Sequence, residues 1–287
     1  MKLLNFYVNG KTHVGVLWNG AVADLSASDP ERGLTTESLI AMGQAGLDWA
    51  ASAVERAPVV PLEEIRYAPI VQNPEKIFCI GLNYQEHATQ EKKALPVVPE
   101  VFSKFNNALA AHQQPLVIPA AAGQVDYEAE LVAVIGREGR NIPERDAMEY
   151  VYGYTCGNDL SARREQSRVT QWLIGKSGDC FAPIGPWIVT KDELNAENLE
   201  ISLFCNGERR QHDTTANMIF KIPHLISYLS QYITLRPGDL IFTGTCAGCI
   251  TSITDAEGNH PWLKPGDELA VEIEGIGRLC NWIQGTF

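Results

Sequence analysis

No apolar run in this 287-residue chain approaches the length of a membrane-spanning helix, so no helical span is expected. Positive charge is also scarce. Lys and Arg number 23 against 35 Asp and Glu, for a formal net charge of −12. A surface of that sign repels nucleic acid and anionic membranes, and neither is an expected partner. It does not oppose a small anionic substrate, because a few Lys and Arg inside a cleft can reverse the local field. The seven cysteines (Cys79, Cys156, Cys180, Cys205, Cys246, Cys249 and Cys280) are odd in number and scattered. Without a pairing pattern they read as reduced thiols. The opening MKLLNFYVNG has no long apolar core and does not read as a signal peptide, so the expected compartment is the cytoplasm. Low-complexity segments are absent too.

What is present reads as a β-rich α+β protein. LLNFYVNG, THVGVLWNG and AVADLS are short strands joined by Asn9-Gly10 and Asn19-Gly20, a hairpin signal. Leu39, Ile40, Leu47 and Ala51 sit at helical spacings and predict one helix over about 36–54. A proline-dotted linker from Pro58 to Pro74 suggests a small N-terminal domain over 1–70 and a larger one over 71–287. In the larger part, KIFCIGLNY predicts a buried strand, residues 84–93 and 144–152 predict short helices, and ISLFCNGERRQ predicts a hairpin. IPHLISYLSQYI predicts an amphipathic helix over 222–233. LRPGDLI and LKPGDEL each predict a Pro-Gly turn feeding a strand, the two belonging to one sheet system.

The chemistry concentrates in VDYEAEL. If 125–131 is a strand, Asp126, Glu128 and Glu130 share one face and Tyr127, Ala129 and Leu131 the other. Such alternation is usually a solvated face. Here it leads into the apolar run LVAVIG, which predicts buried sheet, so the acids are expected at the lip of a pocket. Adjacent carboxylates repel and are costly to bury, and a divalent cation relieves that. Glu128 and Glu130 with Asp159 form an all-oxygen set that suits Mg²⁺, with Mn²⁺ or Ca²⁺ as alternatives, and suits Zn²⁺ poorly.

His87 follows a predicted strand, with Gln90 and Glu91 three and four residues on. Either falls beside it on a helix and could raise its basicity. A surface imidazole with an ordinary ion pair is the plainer reading. If Asp159 opens a helix, Arg163 and Gln166 share its face, where Arg163 could grip a substrate carboxylate two-pronged and Gln166 could donate an amide. Lys176, between glycines after an apolar turn, could stabilise an anion or simply be solvated. Thr245, in FTGTCAG, offers a hydroxyl and an N–H. The lone C-x-x-C pair of Cys246 and Cys249 has no companion pair and reads as structural or incidental.

IGLNYQEHA, VFSKFNNAL, VDYEAELVAVIG, GYTCGNDLSARREQ, WLIGKSGDCFAPIGPWIV, NGERRQ, LRPGDLIFTGT and LKPGDELAVEIEGIGRLCN together resemble the fumarylacetoacetate hydrolase family over residues 74–283. The resemblance implies a mixed β-roll catalytic domain around a metal site, a small N-terminal domain and a homodimer. It implies Glu128, Glu130 and Asp159 as ligands of Mg²⁺ or a similar ion, with His87, helped by Glu91, as base. Lys176, Arg163 and Gln166 would stabilise anions, and Thr245 would contact substrate. Two segments depart from the family pattern. Gln90 stands where many members have glutamate, and GTCAGCI replaces G-T-P-x-G-V-G, with Cys246 for proline and Ile250 for glycine. The expected activity is metal-dependent hydrolysis of a C–C bond in a 2,4-dioxo acid. Decarboxylation of an oxaloacetate-type 2-oxo acid is the alternative, favoured if neither Gln90 nor Glu91 reaches His87, and isomerisation of ring-cleavage products is a third option. A non-catalytic module with a structural ion would have no use for His87, Lys176 and Arg163.

Overall fold

Asn9 and Gly10 take φ of 49° and 77°, and Asn19 and Gly20 take 51° and 82°. Positive φ at both central residues is what a tight two-residue hairpin demands. The turns fold Lys2–Val8, Lys11–Trp18 and Ala21–Asp24 into an antiparallel meander, as the sequence predicts. The structure, a computed structural model, describes residues 1–286. The single helix expected over 36–54 is instead two, Thr36–Ala41 and Gln44–Val54. Gly43, at φ 57°, breaks the run, a conformation that glycine enters without steric cost.

Lys2–Val8 also pairs antiparallel with Ala182–Thr190, placing Lys2 opposite Val189 and Leu3 opposite Ile188. The N-terminal meander thereby continues into the main sheet. From Ala182–Thr190 the order runs through Val151–Asn158, Ala129–Ile135, Leu240–Phe242, Ile77–Gly81 and Glu100–Ser103. Only Leu240–Phe242 with Ile77–Gly81 is parallel along this path. Leu131 to Ile135 are buried without exception, which is why the run lacks a polar alternation. A second sheet of five strands is ordered Glu208–Thr214, Glu200–Cys205, Glu268–Ile273, Gly277–Thr286, Pro115–Ile118. It packs on the first, and Leu203, Val271 and Leu279 join Leu131 and Val132 in one core. The protein is a β-rich α+β fold.

The two Pro-Gly-Asp turns feed strands as expected, but in different sheets: Leu240–Phe242 in the large one and Glu268–Ile273 in the small one. Their likeness is local. Asp239 accepts from the Arg236 N–H at 2.8 Å, and Asp267 from the Lys264 N–H at 2.9 Å. Each aspartate closes its own turn, whichever sheet follows.

Four neighbouring strands open on one end of the large sheet. Ala129 lies opposite Asn158, Val132 opposite Phe242, and Phe242 beside Cys79. The start of Ala129–Ile135 therefore meets the ends of the other three. Beyond those ends lie Asp159, the turn 243–250, and the helix Gln85–Gln90 carrying His87.

Candidate active site

VDYEAEL is not one strand. Val125–Asp126 pairs with Ser161–Ala162, the chain steps aside at Tyr127 and Glu128, and a new strand begins at Ala129. Asn158 holds the step by accepting the Glu128 N–H at 2.9 Å. The one-face, other-face division expected of a strand fails, because Asp126, Tyr127, Glu128 and Glu130 are all buried. Nor does Asp159 open a helix. A turn and the short strand Ser161–Ala162 follow it, and the helix is Arg163–Ser167.

Four buried carboxylates meet three cations. Lys176, 2% exposed, donates to Glu128 Oε2 at 2.6 Å and to Asp159 Oδ2 at 2.9 Å. Arg163 donates through Nε to Asp126 at 2.9 Å, through Nη2 to Glu128 Oε1 at 2.6 Å, and through Nη1 to Gln166 Oε1 at 3.0 Å. Its two prongs therefore lie on Asp126 and Glu128, not toward a substrate carboxylate. Lys104 Nζ lies 2.6 Å from Asp159 Oδ1. Burial alone raises a carboxyl, but Arg163 and Lys176 outweigh it and hold Glu128 well below the usual range. Burial pulls an ammonium down, yet Asp159 and Glu128 push Lys176 above its ordinary value. Glu130 has no such cation in contact. Burial, with Asp159 and Glu128 adding repulsion, holds it well above the usual range, opposed by the Gly244 N–H at 2.7 Å.

These residues fit a hard divalent cation. Oxygens of Glu128, Glu130 and Asp159 lie within 4.8 Å of one another. Asp159 Oδ1 already has Lys104 Nζ against it, a lysine that also donates to the carbonyls of Leu160 at 3.0 Å, Phe181 at 2.8 Å and Lys176. Glu130 is the buried carboxylate of the set with no cation of the protein in contact, and a divalent ion would supply one. Were all four carboxylates ionised, they would exceed Lys104, Arg163 and Lys176 by one negative charge, which a bound cation would offset. The adjoining cavity of about 40 Å³ is lined by Glu128, Glu130, His87, Lys176, Gln166 and Thr245 among others.

His87 is 6% exposed on the short helix Gln85–Gln90, and Tyr84 precedes that helix in extended conformation. Burial holds the imidazole below its ordinary value, opposed by Glu128 and Glu91. Neither expected helper hydrogen-bonds it. Glu91 Oε1 accepts from the Thr251 hydroxyl at 2.6 Å, and Gln90 Oε1 from the Gly248 N–H at 3.0 Å. Both side chains fasten the helix to the turn 243–252 instead. His87 Nδ1 faces Cys249 Sγ at 4.0 Å. Thr245 is 4% exposed, and its Oγ1 accepts from Gln211 Nε2 at 2.9 Å.

All nine residues singled out from sequence come to this one place: Glu91 and Arg163 line the cavity with those named above, and Asp159 lies just behind it. Sequence reasoning missed Lys104, Gln211 and the partnership of Asp126 with Arg163. A lysine between two phenylalanines in VFSKF was the signal for the first. Lys104 points inward while Phe105 is exposed. Gln211 carries no local signal, since its role is made by contacts with Ala129, Thr245 and Cys246.

Known proteins share this sequence pattern and fold. Residues 76–284 match the family described as fumarylacetoacetate (FAA) hydrolase C-terminal. A fumarylacetoacetate hydrolase domain-containing protein 2 homolog of Dictyostelium discoideum is 47% identical over 77% of this chain and 75% of its own. A protein of Rattus norvegicus named as a mitochondrial oxaloacetate tautomerase is 37% identical over 91% of this chain and 83% of its own. The solved maleylpyruvate hydrolase from Sphingobium sp. SYK-6, in complex with manganese(II) ion and pyruvate, superposes with a TM-score of 0.82 at 26% identity, covering 100% of both chains.

Proposed function

The chain belongs to the fumarylacetoacetate hydrolase family, and from that premise we propose that it interconverts the keto and enol forms of a small 2-oxo dicarboxylic acid of the oxaloacetate type. One observation carries the choice: His87 is a buried imidazole that neither Glu91 nor Gln90 hydrogen-bonds. A base built to activate water gains from a carboxylate behind it. A base that only moves a proton between carbon and oxygen of one bound molecule does not need one. His87 takes the proton from C3, the C–H electron pair becomes the C2–C3 double bond, and the imidazolium returns the proton to the 2-oxygen. No atom is gained or lost.

Glu128, Glu130 and Asp159 would hold the divalent cation, Mg²⁺ being the ion proposed. When bound, that ion supplies Lewis-acid polarisation of the 2-oxo group. Lys176, kept cationic by Asp159 and Glu128, adds positive charge beside the developing oxyanion. Thr245 and Gln166 are the proposed substrate contacts, while Arg163 acts through Glu128, whose carboxylate it fixes. The relative named as an oxaloacetate tautomerase supports the substrate class. A homodimer and a reducing compartment, cytoplasmic as read from sequence, complete the proposal; all seven thiols are free.

Hydrolysis of an acylpyruvate C–C bond is the second reading, supported by the maleylpyruvate hydrolase neighbour and by the enolate common to both reactions. The test follows the enol absorbance of oxaloacetate with Mg²⁺ and with chelator, alongside acetylpyruvate and fumarylpyruvate, with products identified. Accelerated enol–keto exchange without loss of oxaloacetate supports the tautomerase. Metal-dependent release of pyruvate and a second acid from a dioxo acid, with oxaloacetate exchange unaccelerated, replaces it with the hydrolase. Release of CO₂ from oxaloacetate replaces it with a decarboxylase.

A further inference from the structure

Beside the three carboxylates lies a second donor set of different chemistry. A ring nitrogen of His87, Sγ of Cys249 and a carboxylate oxygen of Glu128 lie within 4.8 Å of one another, all buried. His87 Nδ1 is 4.0 Å from the sulfur. Bonds of about 2.0–2.1 Å to nitrogen and 2.3 Å to sulfur at a tetrahedral angle set those two atoms about 3.6 Å apart. For that pair, closure by a few tenths of an ångström is enough. The surroundings hold the donors in place: Gln211 Nε2 lies 3.7 Å from Cys249 Sγ, and Arg163 and Lys176 grip Glu128, each at 2.6 Å. Imidazole, thiolate and one carboxylate form a borderline-soft set that Mg²⁺ and Ca²⁺ do not select.

We propose that His87, Cys249 and Glu128 form a second cation site, specific for a thiophilic divalent ion such as Zn²⁺ or Cd²⁺, whose occupation inhibits the enzyme. The site shares Glu128 with the all-oxygen set and leaves a fourth position toward the cavity for water. On binding, the Cys249 S–H bond breaks and its electron pair forms the sulfur–metal bond. The proton leaves through the cavity that His87 and Glu128 line, and nothing is oxidised or reduced. The nitrogen lone pair of His87 becomes a metal bond and no longer accepts a proton. The inhibition rests on the proposed role of His87 as base, whereas the binding does not.

The test titrates Cd²⁺ into Mg²⁺-saturated full-length protein and reads the thiolate-to-cadmium charge-transfer absorbance. Cys180 and Cys280, the two partly exposed thiols, are first replaced by serine. The expected result is a band saturating at one Cd²⁺ per chain. It should disappear in Cys249→Ser and in Cys249→Ala, with affinity about tenfold or more weaker in His87→Gln. Far-ultraviolet circular dichroism establishes that each variant is folded. A band unchanged in both Cys249 variants, or no band in the folded parent, overturns the site whatever reaction the enzyme catalyses. Turnover assayed with Zn²⁺ separates the other half. Inhibition that tracks site occupancy supports it, and full turnover at a saturated site overturns both the inhibition and the assignment of His87 as base.

Discussion

Glu130 is the one ligand candidate without a cation of the protein against it, so it depends most on the ion it would hold. Glu130→Ala is expected to weaken Mn²⁺ binding about a hundredfold or more and to abolish turnover. Calorimetric titration with an activity assay checks both, and a fully active, metal-saturable variant would sink the site. Another single residue sets acid sensitivity. His112 accepts the Cys280 N–H on Nδ1 at 3.0 Å and lies edge-on to Tyr67, and burial pushes its imidazole down to about 4. The unfolded chain takes up its proton near pH 6.5 and the folded chain only near 4, so the unfolded state binds more protons in between. Stability is complete above about 6.5 and is lost as the pH falls toward 4, by about 3 kcal/mol at most. Urea unfolding at pH 7.5 and 4.5 reads the loss, and His112→Gln, an uncharged acceptor, should remove most of it. Residue identities were legible in the sequence where the pattern is unusual, as with Glu128 and Glu130 alternating into an apolar run. Partnerships were not. That Arg163 grips Asp126 and Lys104 lies against Asp159 follows from chain segments brought together by folding, and no spacing encodes it.

At the scale of elements, one turn ties the strand carrying Glu130 to the helix carrying His87. The turn 243–252 presents the Gly244 N–H to Glu130, Thr245 to the cavity, and Gly248 and Thr251 to the helix carrying His87. Gly244 holds φ 97°, and a Cβ there would lie 2.7 Å from the Asn83 Cβ and 2.9 Å from the Ile80 carbonyl oxygen. Asn83 bridges this turn to Phe220, donating to the Thr243 carbonyl at 2.7 Å and accepting the Phe220 N–H at 2.7 Å. Gly244→Ala is therefore expected to shift the amide from Glu130 and weaken Mn²⁺ binding about tenfold, while lowering the melting temperature. Unchanged metal affinity in the folded variant would show that the turn does not position Glu130. Elements with punctuation were readable: the Asn-Gly hairpins and the helix Ile222–Tyr232 lie where the sequence predicts them. The helix expected over 36–54 and the strand expected over 125–131 were not, since Gly43 and the Tyr127–Glu128 step break patterns that their apolar spacing would continue.

For the whole molecule, the decisive connection joins Lys2–Val8 to Ala182–Thr190. Periodicity predicts each strand but not which strands pair, and the like Pro-Gly-Asp turns in two sheets illustrate the same gap. A chain starting at residue 71 would expose the edge of Ala182–Thr190 and its buried Ile188, an open template for intermolecular pairing. That fragment is expected to scatter more light than the full chain at equal concentration, and a folded fragment that scatters no more would refute it. The same pairing has a consequence during synthesis on the ribosome. Lys2 and Leu3 precede their partners Val189 and Ile188 by some 180 residues, roughly 10–40 s at ordinary elongation rates. Tyr67–Ala68 can cover Asn5 and Phe6 much earlier, so the part of this edge that waits for its mate is the end at Lys2 and Leu3.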